Sequence, residues 1–417
     1  MISVFTPSHD PRFLDDCLAS LQAQTYEDWE WIVLLNHGAT WTSPPDKRVT
    51  VFHNDLGALD GIGALKASCC RKAVGDILVE LDHDDYLHPM LLSCINSAFE
   101  DNPDVGFFYC DSVQINEDGS PNLDKFDLAH GWEYRELSNP EGGICARSME
   151  AFPHNVSYVW YAPNHVRAFR RVVYEKVGGF DPDLDILDDQ DLICRMYQEA
   201  DFIQYPWPHY WQRIHPGNTQ RDPDTNAKIQ RETVALYDRH IGPNCLAWAK
   251  RNNLLALDLG AAHNKPEGYL GVDRYKAEGV DFAGDIFDIL RNMYDGSVGV
   301  IRAADFLEHV TDKVRLFNEF YRVLAHGGML LSLTPSTDGR GAHQDPTHVS
   351  YWNENSFWYF TDASFAQFVP EITCQFQVSR LVTYHPSDWH LEHDIPYVCA
   401  NLIALKDGPR QGGLVHW

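Results

Sequence analysis

The pattern that most restricts this chain is a regular alternation of short apolar runs with segments of helical period. Ile2 to Thr6 is an apolar run closed by Pro7; Trp31 to Leu35, Val49 to Phe52 and Ile77 to Leu81 follow. Between them Leu14, Leu18 and Leu21 recur at helical spacing within 12–24, and 64–73 reads as a second helix. Short apolar runs bounded by turn signals are strands buried on both faces. Strands that alternate with helices join into a mostly parallel sheet. Such sheets bind ligands beyond the carboxyl ends of their strands.

That geometry gives meaning to VELDHDDYLHP, residues 79–89, which begins inside the fourth run. Asp82, Asp84 and Asp85 fall within four positions just past its end. Three carboxylates at close range repel one another unless a cation joins them. Hard oxygen ligands suit Mg2+ or Mn2+. On the alternation of an extended segment, Asp82 and Asp84 face the same way. One then binds the ion directly and the other acts through a water or a ribose hydroxyl.

The chain has 417 residues, long for a single core, so two domains are expected. A helical stretch over 224–241 ends at Gly242-Pro243, and the alternation restarts with the apolar run 254–259, the turn GAAHNKPEG and the strand YLGVD. The domains are placed at 1–245 and 246–417. Residues 130–165 hold Trp132, Tyr134, Tyr158, Trp160 and Tyr161 among Pro, Gly and Asn, and read as an irregular aromatic loop region. Trp132, Trp160 and Tyr161 offer flat faces for a ligand ring, though as core residues they need no such role.

The formal net charge is −27 and the pI near 5.0. A surface this acidic repels polyanions and disfavours duplex nucleic acid. It does not exclude small anionic substrates, because one metal ion reverses the local field. The ten cysteines show no paired CxxC spacing and read as reduced core thiols of a cytosolic protein, Cys69-Cys70 included. The opening MISVF is already strand-like, without a basic region leading into an apolar one, and no long uncharged apolar segment follows. A cytoplasmic protein without membrane spans is expected.

Four segments in order carry a resemblance. The opening ISVFTPSHDPRFLDDCLASLQAQTYEDWEWIVLLNHGAT contains Thr6-Pro7, Gln24-Thr25 and Gly38-Ala39-Thr40; AVGDILVELDHDD leads into the acidic cluster; VGGFDPDLDILDDQDLICRM and YWQRIHPGNTQR come later. Together, over residues 2 to about 220, they resemble family 2 glycosyltransferases of the GT-A fold. The resemblance implies an Asp-x-Asp signature at Asp82 and Asp84, with Asp84 the direct metal ligand and Asp82 nearer the ribose. It implies that His215 completes the metal site, and that Thr6, Pro7 and Asn36 lie against the nucleotide. Asn36-His37 replaces the family's acidic pair, so the base contact passes to an amide that can still bond a base edge. Lys66 and Arg71 are expected to offer charge to the diphosphate. Inverting transfer needs a base for the acceptor hydroxyl; the resemblance gives this to Asp189, with Asp188 as its alternate.

Residues 254–273, LLALDLGAAHNKPEGYLGVD, are similar to motif I of class I S-adenosylmethionine-dependent methyltransferases. Asp258, Gly260 and Asp273 match, and Ala262 stands where a second glycine is usual. GDIFD places Asp285 where an acid contacts adenine. In ADFLEHVTDKVRLFNEFYRVLAHGGMLLSLTP, Val310, Val314, Phe317 and Leu324 are read as one helical face, stopped by Gly327-Gly328. Glu308 and His309 then fall at the methyl-transfer end, and His348 in DPTHVSYWNENSFWYF is a substrate contact or base. A dinucleotide dehydrogenase is disfavoured, since the loop is not GxGxxG. The expected molecule is an α/β enzyme of two Rossmann-like domains, GT-A then methyltransferase. It is expected to move a sugar from a nucleotide-sugar donor, a UDP-sugar first, to a glycan or other hydroxyl acceptor, with O-methylation of the same glycan as a second expected step. The alternatives are a methyltransferase-like half that only binds acceptor or partner, and a transferase acting on modified nucleic acid, which the acidity disfavours.

Overall fold

The structure is a computed structural model that describes residues 1–54, 60–125, 132–137, 143–158, 165–218 and 222–407. It divides into two compact units, Met1–Ala151 with Asn155–His240, and Phe152–His154 with Ile241–Trp417.

In the first unit, β1 (Ile2–Ser8) is buried at every position and lies parallel to β2 (Trp29–Leu35) on one side. On β1's other side is β4 (Ile77–Glu80), also parallel, and β3 (Val49–His53) flanks β2. Helices α1 (Leu14–Gln22) and α2 (Ile62–Lys72) make the crossovers. After β5 (Tyr86–Leu87), α3 (Leu91–Asp101) and β6 (Val105–Asn116) comes a hairpin, β7 (Glu133–Glu136) and β8 (Ile144–Arg147), which pairs with β6. Then follow α4 (Pro153–Tyr158), β9 (Arg167–Arg170), α5 (Arg171–Lys176), α6 (Asp188–Glu199) and β10 (Asp201–Ile214). The strand path is β3-β2-β1-β4-β9-β6-β10-β5, with β9 antiparallel between β4 and β6. Register sets Ser8 opposite Leu35 and Phe5 opposite Glu80. The carboxyl ends of β1, β2 and β4 therefore share one edge, the edge where ligands bind.

Two expectations change here. The region 130–165 is not wholly irregular: β7 and β8 sit over a small core of Val113, Ile115, Cys145 and Trp211, because β6 leaves an edge that needs a partner. Trp160 and Tyr161 lie outside the described residues. The helix over 224–241 does not stop at Gly242-Pro243; α7 runs Pro223–Arg251 with Pro243 inside it. A proline removes one N–H from the ladder, and burial of Tyr237, Ile241, Cys245 and Ala249 along the helix outweighs that loss.

The second unit holds β11 (Leu255–Leu259), β12 (Leu270–Asp273), β13 (Val280–Ala283), α8 (Ile286–Arg291), β14 (Val298–Ala304), α9 (Lys313–Val323) and β15 (Leu324–Pro335). It is completed by α10 (Gly341–Gln344), α11 (Glu354–Thr361), β16 (Gln377–Tyr384) and β17 (Tyr397–Ile403). The sheet order is β13-β12-β11-β14-β15-β17-β16, parallel except where β17 joins antiparallel to both neighbours. The buried face of α9 is Leu316, Phe317, Phe320 and Val323, while Val314 is half-buried. Leu324 already belongs to β15, and Gly327-Gly328 lies inside that strand, with φ of +83° at Gly327. The glycines thus re-aim the strand rather than end the helix; the register shift between Val298 and Val300 against Leu324 and Met329 marks the place.

Phe317 anchors this core, stacking on Phe360 at 4.1 Å and lying 5.5 Å from Trp352. Phe317→Ala is expected to cost about 3–5 kcal/mol of stability through the lost transfer energy and the cavity left behind. Denaturant unfolding followed by tryptophan fluorescence measures it.

Candidate functional site

A cleft of about 370 Å³ opens at the carboxyl edge of the first sheet, lined by Pro7, Asn36, Lys66, Glu80, Asp82, Asp84, Arg167, Asp188 and Asp189 among others. Among the described residues, eight carboxylates line it (Asp60, Glu80, Asp82, Asp84, Asp85, Asp185, Asp188, Asp189), against two cations, Lys66 and Arg167.

The acidic cluster occupies a turn rather than an extended segment, closed by Asp85 N–H donating to the Asp82 carbonyl at 3.2 Å. Its three carboxylates have different surroundings. Asp85 is buried and accepts from the Arg213 backbone N–H at 2.7 Å. Burial, and then the charge of Asp84, pushes its carboxyl well above the ordinary range. Asp85 is thus a strut of the turn. Asp84 lies beside His215 and Asn218, with His215 Nε2 at 2.9 Å and Asn218 Nδ2 at 3.2 Å from Oδ2. His215 Nδ1 accepts from the Gly217 N–H, so the neutral ring carries its proton on Nε2 and donates it to Asp84. Asp82 is half-exposed, 3.7 Å from His165 Nε2. Burial raises its carboxyl, against the pull of Lys66.

The floor of the cleft is a buried ion network that the sequence reading did not find. Lys66 Nζ on α2 reaches Glu80 Oε1 at 2.7 Å and Asp188 Oδ2 at 2.9 Å. Arg167 on β9 reaches Glu80 at 3.3 Å and Asp189 Oδ2 at 2.8 Å. Lys66 therefore points into carboxylates rather than standing free for a diphosphate, and Arg71 is exposed on its helix, bonded to Ser68. A signal was present: Glu80 closes the otherwise apolar ILVE strand, and a carboxylate buried to 1% must have a cation. Thr6 is also spent on structure, donating to the Leu81 carbonyl at 2.7 Å and accepting from Trp31 Nε1 at 2.8 Å. Asn36 differs: it is buried and its Oδ1 has no hydrogen-bond partner. His165, stacked on Tyr210 at 4.7 Å, is held neutral, its pKa lowered to about 3 by burial and then by Arg167. Trp132 is buried and lines a separate cavity of about 460 Å³ with Tyr134, Arg135 and Arg147.

Asp188 and Asp189 open α6, and their environments push them apart. Burial raises Asp188 to about 6, with Lys66 opposing. Burial would raise Asp189 too, but the Arg167 guanidinium and then Lys66 hold it below the ordinary carboxylate range. Asp189 keeps 22% of its side chain exposed; Asp188 keeps 6%.

In the second unit the turn after β11 has φ of +71° at Gly260 and +37° at Ala262. A Cβ at Gly260 would come within 3.4 Å of Phe306. Asp273 accepts from Ala262 N–H at 3.1 Å and from Tyr275 N–H at 3.0 Å, folding the turn over its strand end. Asp258 is buried and paired with Arg302 at 2.6 Å, so it stiffens the turn from below. Asp285 caps α8 through Phe287 N–H at 2.9 Å. Glu308 is buried and accepts from Thr334 Oγ1 at 2.5 Å, and the rings of His309 and His348 stand 5.1 Å apart. These residues collect around the carboxyl ends of β11, β12 and β14.

Each of the two α/β units gathers its polar residues at the carboxyl ends of parallel strands, where such sheets bind ligands. The families are those of the chain's sequence: residues 3–154 match the family described as Glycosyl transferase family 2, and residues 249–332 match that described as Methyltransferase domain. The chain carries a family 2 glycosyltransferase domain followed by a methyltransferase domain. Among curated relatives, the O-antigen biosynthesis protein RfbC of Myxococcus xanthus is 28% identical over 49% of this chain and 15% of its own length. The chondroitin synthase of Pasteurella multocida is 21% identical over 57% of this chain and 24% of its own. The chain thus spans well under two thirds of these relatives. Among solved structures, S. aureus TarS 1-349 in complex with UDP-GlcNAc is 13% identical, covering 60% of this chain and 71% of that one, with a TM-score of 0.42. No helix among the described residues is long and apolar enough to cross a membrane.

The raised pKa of Asp188 yields a stability prediction. The folded state holds this proton more tightly than the unfolded state does, about 6 against 3.8. The associated stability is present below about pH 4 and lost as pH rises through about 6. Asp188→Asn is therefore expected to be more stable than the natural chain at pH 7.5, by up to about 3 kcal/mol, with the difference vanishing near pH 4. Melting temperatures across that range decide it; a mutant less stable at pH 7.5 contradicts the assignment.

Proposed function

We propose that the N-terminal unit transfers a sugar, with inversion, from a nucleotide-sugar donor to a hydroxyl of a glycan or other acceptor, using Mn2+ or Mg2+. The observation that carries this is the charge of the cleft. Eight carboxylates facing two already paired cations repel a diphosphate unless a divalent ion joins them. The donor set fits such an ion: Asp84 and Asp82 are oxygen ligands on one turn, open to the cleft. His215 orients Asp84 and becomes a ligand itself only by moving its proton to Nδ1 and releasing Gly217. A bound divalent ion would neutralise the leaving diphosphate.

The chain's own groups supply the rest. Asn36 Oδ1, buried and unpaired, suits the imide N–H of uracil, which favours a UDP-sugar. Pro7 shapes the wall beside it. Asp189, ionised beside Arg167 and partly open, takes the proton of the acceptor hydroxyl as its oxygen bonds the anomeric carbon and the bond to the diphosphate breaks. Lys66 and Glu80 hold Asp188 and Arg167 in place beneath it. We place the domain boundary at 245 and the protein in the cytoplasm.

For the C-terminal unit we propose S-adenosylmethionine binding at Gly260, Ala262, Asp273 and Asp285, with Asp258 supporting the turn, and O-methylation of the same glycan. Fusion would raise the local concentration of the transferase product. A second reading, a non-catalytic acceptor-binding module, is favoured by Ala262 in place of glycine and by the engagement of Asp285 as a helix cap.

Two experiments test these readings. Asp84→Asn is expected to abolish metal-dependent hydrolysis of UDP-sugars, while Asp189→Asn keeps donor binding by calorimetry and loses transfer by about 100-fold or more. Persistent turnover in either refutes the corresponding role. Calorimetry with S-adenosylhomocysteine is expected to give saturable heat that Asp273→Ala removes; absence of heat leaves the binding-module reading.

A further inference from the structure

We infer that Glu308, His309 and His348 form a divalent-metal site in the C-terminal unit, separate from the carboxylate cleft and suited to a borderline ion such as Zn2+, Co2+ or Fe2+. Each of the three offers a ligand atom, and these atoms all lie within 4.8 Å of one another. Two imidazoles and one carboxylate are the donor set that transition ions take in preference to Mg2+.

The local structure builds this cluster deliberately tight. Glu308 and His309 belong to the single turn that follows β14. The segment carrying His348 is tied to that turn by its backbone, with Val349 and Ser350 N–H both donating to the Glu308 carbonyl at 2.9 and 3.0 Å. Ser350 Oγ donates to the Leu307 carbonyl at 2.9 Å. His348 is thereby locked against Glu308 and His309 across about forty residues of sequence.

Three further observations support a cation site here. First, Glu308 is 2% exposed, yet its Oε1 has no hydrogen-bond partner; only Oε2 is used, by Thr334. A buried carboxylate oxygen left unpaired is costly unless something positive occupies its free side. Secondly, both histidines have Nδ1 against a backbone carbonyl, His309 against Thr347 at 3.2 Å and His348 against Ala342 at 2.9 Å. A carbonyl only accepts, so Nδ1 carries the proton in each ring and Nε2 keeps its lone pair. This is the outer-shell bond that fixes a metal-binding imidazole in the ligating tautomer. Thirdly, a carboxylate stands just behind the cluster: Asp345 accepts from Thr347 Oγ1 at 2.6 Å, and that oxygen lies 3.3 Å from His309 Nδ1.

The site lies at the end of β14, where the methyl-acceptor side was expected. An ion there would take an oxygen of the acceptor as a further ligand, so the chemical class of substrate is a hydroxyl or vicinal diol.

The test uses the full chain with Asp84→Asn and His215→Gln to silence the other proposed ion site, stripped with EDTA and titrated with Zn2+ by calorimetry and with Co2+ by visible absorbance. One equivalent is expected, with Co2+ bands of a nitrogen-ligated ion. His309→Gln or His348→Gln added to this background is expected to weaken binding roughly 10-fold or more, since even an outer-shell loss costs that much. His309 is exposed, so its variant is expected to keep the circular dichroism of the parent. No saturable binding, or one equivalent that both histidine variants leave within about two-fold, overturns the site. The chain with Asp84 and His215 intact reports the cleft separately: two equivalents if both sites bind, one if only the C-terminal site does.

Discussion

The N-terminal site depends on a buried pairing of two cations with three carboxylates. Lys66 comes from α2, Glu80 from β4, Arg167 from β9, and Asp188 and Asp189 from α6. Four elements far apart in sequence meet through these charges, and all but Asp189 are nearly inaccessible to water. Such ions are expensive to bury singly, and an ion left with no partner at all costs about 3–5 kcal/mol; Lys66 keeps Glu80 when the charge of Asp188 is removed. The network therefore fixes where α6 begins relative to the strand ends. Glycines permit the approach: a Cβ at Gly63 would lie 2.1 Å from the Asp181 carbonyl, and at Gly179 2.7 Å from the Tyr174 ring. The GGFD segment matters here as spacing for charge.

The same network divides the labour between adjacent acids. Glu80 sits between Lys66 and Arg167 and satisfies part of each. Arg167 then gives its remaining face to Asp189, and Lys66 to Asp188. Burial prevails at Asp188, whereas at Asp189 Arg167 and Lys66 together outweigh it, so neighbours on one helix turn differ in proton affinity. Paired groups pushed apart in this way are what acid–base chemistry requires. The charged first turn of α6 also complements its helix dipole, an effect too small to explain three acids at 188, 189 and 191 by itself.

Much of this architecture was legible in the sequence, because hydrophobic period and turn residues encode strands and helices locally. Strands near 2, 31, 49, 77 and 254 are present with ends moved by one or two residues, as at Trp29–Leu35. Asp84 and His215 stand 2.9 Å apart although 131 residues separate them. What was not legible depends on partners. Glu80 and Arg167 look ordinary until β4 and β9 are known to be neighbours. Lys66 was expected to face solvent and phosphate, and only the fold shows that carboxylates surround it. The hairpin of β7 and β8 was hidden because its short strands lack alternation strong enough to compete with Pro and Gly. Pro243 was read as a stop because local chemistry argues for one, whereas burial along α7 decides otherwise.

The two units answer one electrostatic problem differently. In the first, excess carboxylate is gathered at an open cleft, which repels an anion unless a cation joins it. In the second, the turn at 260–262 lies against Asp273, whose two oxygens are occupied by backbone N–H groups. Negative charge there is spent on holding a loop, and the unspent charge lies further on, at Glu308. A chain of net charge −27 binds an anion most readily where its own acids are neutralised. The places where a buried acid lacks a protein partner are therefore the places to look for its ligands.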